Sequence, residues 1–249
     1  MFLELELPPP FRAVVSTRAG GESPAPWDSQ NHGTSTGDSA ERVLRNARRL
    51  ADALGPEGPG GPEGWALVSQ VHGSLALEVG RPGRAGEADA LWTGRTGPAL
   101  GIRVADCSAV ALAHPPTGRL GLAHAGWRGA AAGVTGALLR AMNVPATEVH
   151  AAISPHLGPC CFEVGPDVVA AFSGRFCAPR RGDRSSLDLG AALRSELSAL
   201  GVPASRIRAD GRCTSCAREL FFSHRRDHGA TGRMIVLGWS RPGRPPGGP

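Results

Sequence analysis

The sequence predicts a single-domain α+β fold, layered rather than doubly wound, from three observations. Helical and strand-like periodicities both occur, but they do not alternate regularly, which disfavours a chain of βαβ units. Two neighbouring runs, "ALGIRVADCSAVALAH" and "RLGLAHAG", are apolar almost throughout, as expected of strands covered on both faces. The length of 249 residues, 41% of them hydrophobic, suffices for one large core. No apolar stretch approaches the roughly 20 residues of a membrane-spanning helix.

The first expected strand is "FRAVVSTR" (11–18), followed by the Gly-, Pro- and Ser-rich loop "GGESPAPWDSQNHGTSTG". A helix follows over 38–54. Val43, Leu44, Ala47, Leu50, Ala51 and Leu54 recur at helical spacing, Asp38 and Glu41 have the arrangement of a capping box, and Gly55 supplies the stop. The segment "GPEGPGGPEG" (55–64) holds too many breakers to be anything but a surface loop. Strands are then expected at "WALVSQVHG", "SLALEVG", "ADALWTG" and the two apolar runs. A helix over about 128–142 ends before Pro145, and "VHAAIS" is a further strand. Pro166 opens a short helix through Phe172, Asp188 caps a helix over 188–200 that Gly201 ends, and "RMIVLGWS" (233–240) is the last strand. The domain thus spans 1–240, and "RPGRPPGGP" (241–249) is expected as a disordered tail.

Composition removes several chemistries. All 27 basic residues are arginines and tyrosine is absent, so Schiff-base lysine, the phosphate-loop lysine and any tyrosine acid or base are excluded. The net charge of +5 is spread along the chain, which reads as solvated surface rather than a nucleic-acid stripe, while anionic small substrates fit. The start, "MFLELELPPP", lacks a basic n-region and an apolar h-region, so a cytoplasmic protein without membrane attachment is expected. In that compartment Cys107, Cys160, Cys161, Cys177, Cys213 and Cys216 read as free thiols, metal ligands or a catalytic group rather than a disulfide set.

His72 in "SQVHG", Cys107 in "VADCS" and His124 in "LAHAGW" each close a strand-like apolar run, where a turn exposes the side chain at a sheet's edge. Two histidines and a cysteine suit zinc, with bonds of about 2.0 to 2.3 Å and a fourth position for water. Their spacings, 35 and 17 residues, match no zinc-finger pattern, and a histidine or cysteine taken singly is more often merely packed or hydrogen-bonded. Strand alternation puts Gln70 on the face of His72, within reach of a ligand or substrate, and Arg103 on the face of Cys107, where a cation favours thiolate. Asp106 is either a proton carrier, an orienter or a structural hydrogen-bond acceptor. In "HAGWRG", Gly126 and Gly129 allow close backbone approach to a ligand, and the helix starting near Arg128 points N–H groups at an anion; tight helix-to-sheet packing is the alternative. Cys213 and Cys216 form a Cys-x-x-Cys with no second pair at suitable spacing, so they read as structural. His224 and His228 fall in a loop, and His156 with Cys160 and Cys161 lacks an orienting partner for nucleophilic catalysis.

The order "SQVHG", "ADC", "HAGWRG", "GPCCFEVG", then "CT" with "FFSHRRD" and "TGR", resembles the YfiH-like family, also labelled laccase-domain or multicopper polyphenol oxidoreductases and purine nucleoside phosphorylases. The resemblance runs from about Ser29 to Trp239. It implies one α/β/β/α-like sandwich domain with mixed sheets, usually monomeric, with zinc held by His72, Cys107 and His124. It also implies phosphorolysis of adenosine, inosine and S-methyl-5′-thioadenosine, deamination of adenosine, and a link to peptidoglycan editing in bacterial members. Purine nucleosides and inorganic phosphate are the expected partners. Cys107 and Asp106 are the expected catalytic residues, and Asn31, Gln70, Arg128 and Arg233 the expected substrate-binding ones, with Arg128 or Arg233 holding the phosphate that attacks ribose C1′. The family's "SLNLG" is "SQNHG" here, retaining Asn31; its Asn-Arg pair is split as Asn46, Ala47, Arg48; "GPxIG" is "SPHLG"; and "FSYRR" is "FSHRR" with His224. These departures spare the metal set and bear on substrate preference. Two other readings remain. Copper at the same ligands would make a polyphenol oxidase, although eight histidines with no His-x-His pair do not furnish a multinuclear copper centre. A non-enzymatic zinc protein would need a fourth protein ligand.

Overall fold

The computed structural model describes residues 1–94 and 97–241; apart from Arg241, the expected tail lies outside the described residues. In chain order the strands are β1 (Phe2–Leu5), β2 (Phe11–Ser16), β3 (Trp65–Ser69), β4 (Ala76–Glu78), β5 (Gly83–Glu87), β6 (Ala90–Thr93), β7 (Ala99–Val104), β8 (Ser108–His114), β9 (Arg119–Ala125), β10 (His150–Ile153), β11 (Glu163–Val164), β12 (Cys177–Pro179), β13 (Ser185–Leu187), β14 (Ile207–Ala209) and β15 (Met234–Ser240). The helices are α1 (Ala40–Leu54), α2 (Trp127–Ala131), α3 (Val134–Met142), α4 (Pro166–Ala171) and α5 (Leu189–Ala199). Among the described residues no helix is long and apolar enough to cross a membrane.

Two six-stranded mixed sheets form the centre, ordered β1-β2-β15-β7-β3-β5 and β14-β10-β8-β9-β6-β4; β11, β13 and β12 make a small third sheet. One apolar cluster lies between the large sheets, with Val15, Leu100, Ile102 and Val236 from the first meeting Leu91, Ala111, Leu120 and Leu122 from the second. The outer face of the first sheet packs Trp65, Ile235 and Leu237 on Leu50 and Leu54 of α1. The outer face of the second packs Val110, Leu112 and Ile153 on Leu138 and Met142 of α3 and Leu193 and Leu197 of α5. The result is the expected α/β/β/α layering. Strand β8 shows why the sequence lacks polar alternation there: Ala109, Ala111 and Ala113 face the other sheet, Val110 and Leu112 face helices, and all are buried.

Several elements differ from expectation. The run over 99–114 is two strands in different sheets, broken at residues 105–107, where Asp106 takes φ 79°. The helix expected over 128–142 splits into α2 and α3 around Gly133, at φ 73°. No capping box forms at α1; Asp38 instead accepts from the Ser39 amide and from Ser23, Asn31 and Arg42. Asp188 does cap α5, accepting from the Ala191 amide at 2.8 Å.

Three crossings from the first sheet to the second organise the functional region. The chain passes from β3 to β4 through residues 70–75, from β5 to β6 through Ala88 and Asp89, and from β7 to β8 through Ala105, Asp106 and Cys107. These short links converge beside the end of β9, which carries His124.

Candidate active site

His124 lies on the face of β9 that also carries Leu120 and Leu122, so strand alternation turns it toward the space between the sheets. Its backbone amide donates to the Asp89 carbonyl at 2.6 Å, and its Nδ1 meets the Asp89 carboxylate at 2.8 Å. That carboxylate also accepts from the amides of Val71, His72 and Gly73 at 3.1, 2.9 and 2.6 Å. A fully buried aspartate thus holds the turn bearing His72, itself at φ 61°, against the strand bearing His124. The two imidazoles stand edge to face, with centroids 4.8 Å apart and planes at 72°. One ligand atom from each of His72, Cys107 and His124 lies within 4.8 Å of the others.

An ionised carboxylate only accepts, so Nδ1 of His124 donates to Asp89 and Nε2 faces Cys107, donating to its sulfur or, once that proton is displaced, offering a lone pair to a metal, the arrangement by which a carboxylate orients a histidine ligand. Burial would raise the Asp89 carboxyl, but His124 and the backbone amides outweigh it and hold it below its ordinary value. Burial likewise opposes a charged Cys107, yet hydrogen bonds from His124 and His72 bring its thiol down to about 6. Burial disfavours a charged His124, whereas Asp89 and Cys107 raise it to about 9. A thiolate and two oriented imidazoles are the donor set that zinc takes in a site with one open position. Gly126 is required by this set: a Cβ there would fall 2.7 Å from the Cys107 sulfur, and one at Gly129 would meet the His124 carbonyl at 3.0 Å. The two glycines therefore admit parts of the site itself.

Cavities of about 490 and 240 Å³ meet at this group and share His72, Ala105, Cys107 and His224. Arg84, Arg103 and Arg233 line the larger one, and none of them pairs with a carboxylate among the described residues. Burial pulls down the pKa of Arg103, helped by the like charge of Arg84, and burial lowers Arg233 too. Uncompensated guanidiniums in a concave, half-buried space select an anion. Their scaffold is backbone: Arg103 Nε donates to the His32 carbonyl at 2.7 Å, and Arg233 is held by its own amide donating to Asn31 Oδ1 at 2.9 Å. The smaller cavity has an apolar wall of Trp127, Leu157, Phe162 and Leu189, and Arg128, Arg225 and Asp106 also line it.

The structure brings His72, Cys107 and His124 together and distributes the other expected residues around them. Gln70 lines the arginine cavity, but its amide bridges β3 and β7, exchanging hydrogen bonds with the carbonyl and amide of Arg103 at 2.8 and 2.9 Å. Arg233 lines the same cavity, with Asn31 buried behind it. Arg128 is exposed and lies on the apolar side, its guanidinium 4.3 Å from the Trp127 ring centroid. Arg128 lines the smaller cavity and Arg233 the larger, and with five residues α2 is too short to focus an anion. Asp106 turns to the 214–225 segment, accepting from Thr214 Oγ1 and the Arg225 amide, each at 2.6 Å. Sequence reasoning missed Asp89, Arg84 and the place of His224. An acid alone inside the apolar "ADALW" is the one available signal for Asp89. It also missed that Cys160 and Cys161 meet Cys213 and Cys216.

The profile of the family described as multi-copper polyphenol oxidoreductase laccase matches residues 12–241. Purine nucleoside phosphorylase YlmD of Geobacillus stearothermophilus is 37% identical over 256 residues, an alignment covering 92% of this chain and 91% of that protein. Purine nucleoside phosphorylase YfiH of Escherichia coli is 35% identical over 236 residues, covering 91% and 93%. Among solved structures, YfiH of Bacillus licheniformis gives a TM-score of 0.87 at 29% identity, with 93% of each chain covered. The crystal structure of YlmD from Geobacillus stearothermophilus gives 0.86 at 36% identity, with 94% of each chain covered.

Proposed function

The chain belongs to the family described as multi-copper polyphenol oxidoreductase laccase, with relatives named purine nucleoside phosphorylase, and from that premise we propose that it is a zinc-dependent purine nucleoside phosphorylase. The observation that carries this reading is the meeting, at Cys107, of a cavity lined by three arginines without a carboxylate and a cavity with an aromatic and aliphatic wall. Phosphate needs the first and a purine the second.

In this reading Arg84, Arg103 and Arg233 hold phosphate, the base lies against Trp127 and Phe162, and the ribose crosses the junction. A phosphate oxygen forms the bond to C1′ as the C1′–N9 bond breaks; the purine leaves with the electron pair and takes up a proton. His224 lines both cavities and has no side-chain hydrogen bond among the described residues, and in this reading its imidazole gives that proton. Asp106, with both carboxylate oxygens occupied, acts as a positioning residue that ties the Cys107 turn to Thr214 and Arg225. Held by His72, Cys107 and His124, zinc would supply Lewis acidity at the junction.

The substrates we propose are adenosine, inosine and S-methyl-5′-thioadenosine, with deamination of adenosine as a second reaction in the same site. Against the copper oxidase named in the family's description stands the donor chemistry. Of the two donor groups among the described residues, one holds two histidines and the other none, whereas a multinuclear copper centre needs many.

Incubating the purified protein with adenosine, with and without phosphate, tests the proposal. Adenine and ribose 1-phosphate should form only when phosphate is present, while inosine and ammonia should form in either case. Absence of both reactions, with oxygen consumed on phenols instead, overturns it.

A further inference from the structure

A second group of soft donors lies behind the apolar cavity. Cys160 and Cys161 occupy the turn in which the Cys161 amide donates to the Gly158 carbonyl at 2.9 Å, and Cys213 and Cys216 occupy the turn in which Ala217 donates to the Cys213 carbonyl at 2.9 Å. All four sulfurs lie within 4.8 Å of one another. Cys216 Sγ stands 3.6 Å from Cys160 Sγ and 3.5 Å from Cys161 Sγ, and all four thiols are free. Four sulfurs about 2.3 Å from a tetrahedral zinc stand about 3.8 Å apart. A disulfide requires about 2.05 Å. The observed separations belong with the tetrahedron.

The local backbone is arranged as for a thiolate ligand. The Gly158 amide donates to Cys213 Sγ at 3.3 Å, across the two turns. Arg180 donates to the carbonyls of Pro159 and Cys160 at 2.8 and 3.1 Å, which places a cation beside a group that would carry two net negative charges with zinc bound.

We propose that Cys160, Cys161, Cys213 and Cys216 form a closed structural zinc site, separate from the one at His72, Cys107 and His124. Binding displaces the thiol protons to solvent and closes all four positions, so no place remains for water or substrate. Its effect reaches the active site through the loops it joins. Phe162, next to Cys161, walls the apolar cavity, and Thr214, next to Cys213, donates to Asp106 beside Cys107. The clamp thereby sets the far wall of that cavity, independently of what the cavity binds.

The test is metal content of the full chain purified under reducing conditions, compared with a Cys213→Ser/Cys216→Ser variant. Loss of one zinc per chain in the variant, with zinc retained at the other site, supports the proposal; unchanged zinc overturns it. The wild-type protein gives an answer that does not depend on how the variant folds. Native alkylation followed by peptide mass analysis should find these four thiols protected until a chelator is added. Prompt alkylation without chelator, or a disulfide among the four, overturns the assignment.

Discussion

On one side of Cys107 three guanidiniums face an open volume without a carboxylate among the described residues to balance them; on the other, two aromatic and two leucine side chains wall a volume half as large, which Arg128, Arg225 and Asp106 also line. The first space is built by hydrogen bonds, with Gln70, Asn31 and the His32 carbonyl holding the chain that carries the arginines. The second is built by packing, from residues continuous with the cluster under α3 and α5. A charged wall needs rigid polar support because an unbalanced cation would otherwise turn toward solvent or a stray acid. An apolar wall needs only neighbours. A substrate with an anionic and a flat apolar half would use both, and the residue they share becomes the point of greatest sensitivity.

Cys107→Ala should therefore have the largest effect, removing the shared sulfur and with it both zinc at that site and phosphorolysis. Metal analysis and product formation on the same preparation check it, and chelation of the wild-type protein should reproduce the loss of activity. Full turnover in the variant would detach the two cavities from any common centre.

The meeting of His72, Cys107 and His124 was legible in the sequence because each closes an apolar run; in the structure His72 and Cys107 lie in the links that follow β3 and β7, and His124 is the penultimate residue of β9. What surrounds them was less so. Reading 99–114 as one strand failed because both large sheets are buried on two faces, so hydrophobicity does not change where the chain leaves one for the other at 105–107. Alternation arguments that paired Gln70 with His72 and Arg103 with Cys107 assumed extended backbone, whereas His72 and Asp106 have φ of 61° and 79°. Strand β5, "GRAGE", is exposed at every position and paired through its backbone, so it has no apolar pattern to find. Asp89 serves amides 16 to 18 positions away in the chain, a relation no local spacing reports.

The two cavities should separate kinetically. If Arg103 holds phosphate as proposed, Arg103→Met should cost one charge-assisted contact, a loss of about 10- to 100-fold that should appear in the KM for phosphate and leave that for nucleoside nearly unchanged. Trp127→Ala should do the reverse, weakening the nucleoside by about 5- to 100-fold through lost contact with the base. Steady-state kinetics with each substrate varied in turn distinguish them. If either variant raised both constants equally, the division of labour between the cavities would fail.

The smallest effect concerns stability rather than turnover, and it compares the buried histidines associated with the two sides. His156, near the apolar wall, bonds through Nδ1 to the Ser154 carbonyl at 2.9 Å, and burial lowers its pKa. His32, whose carbonyl holds Arg103, has no partner at either ring nitrogen among the described residues; burial first and the Arg103 charge second bring it down to about 3. Its folded pKa is thus below the ordinary 6.5, so the unfolded chain takes up the proton first. The associated stability is complete above about pH 6.5 and is lost as pH falls toward 3, with a limiting slope of about 1.4 kcal/mol per pH unit. Urea unfolding at pH 7.5 and pH 5 should show the wild-type protein losing about 2 kcal/mol more than His32→Leu, which keeps a buried side chain but cannot titrate. Equal losses in the two proteins would mean that the ring beneath the arginines escapes their field and the burial around it, and that the charged wall is more open to water than its packing indicates.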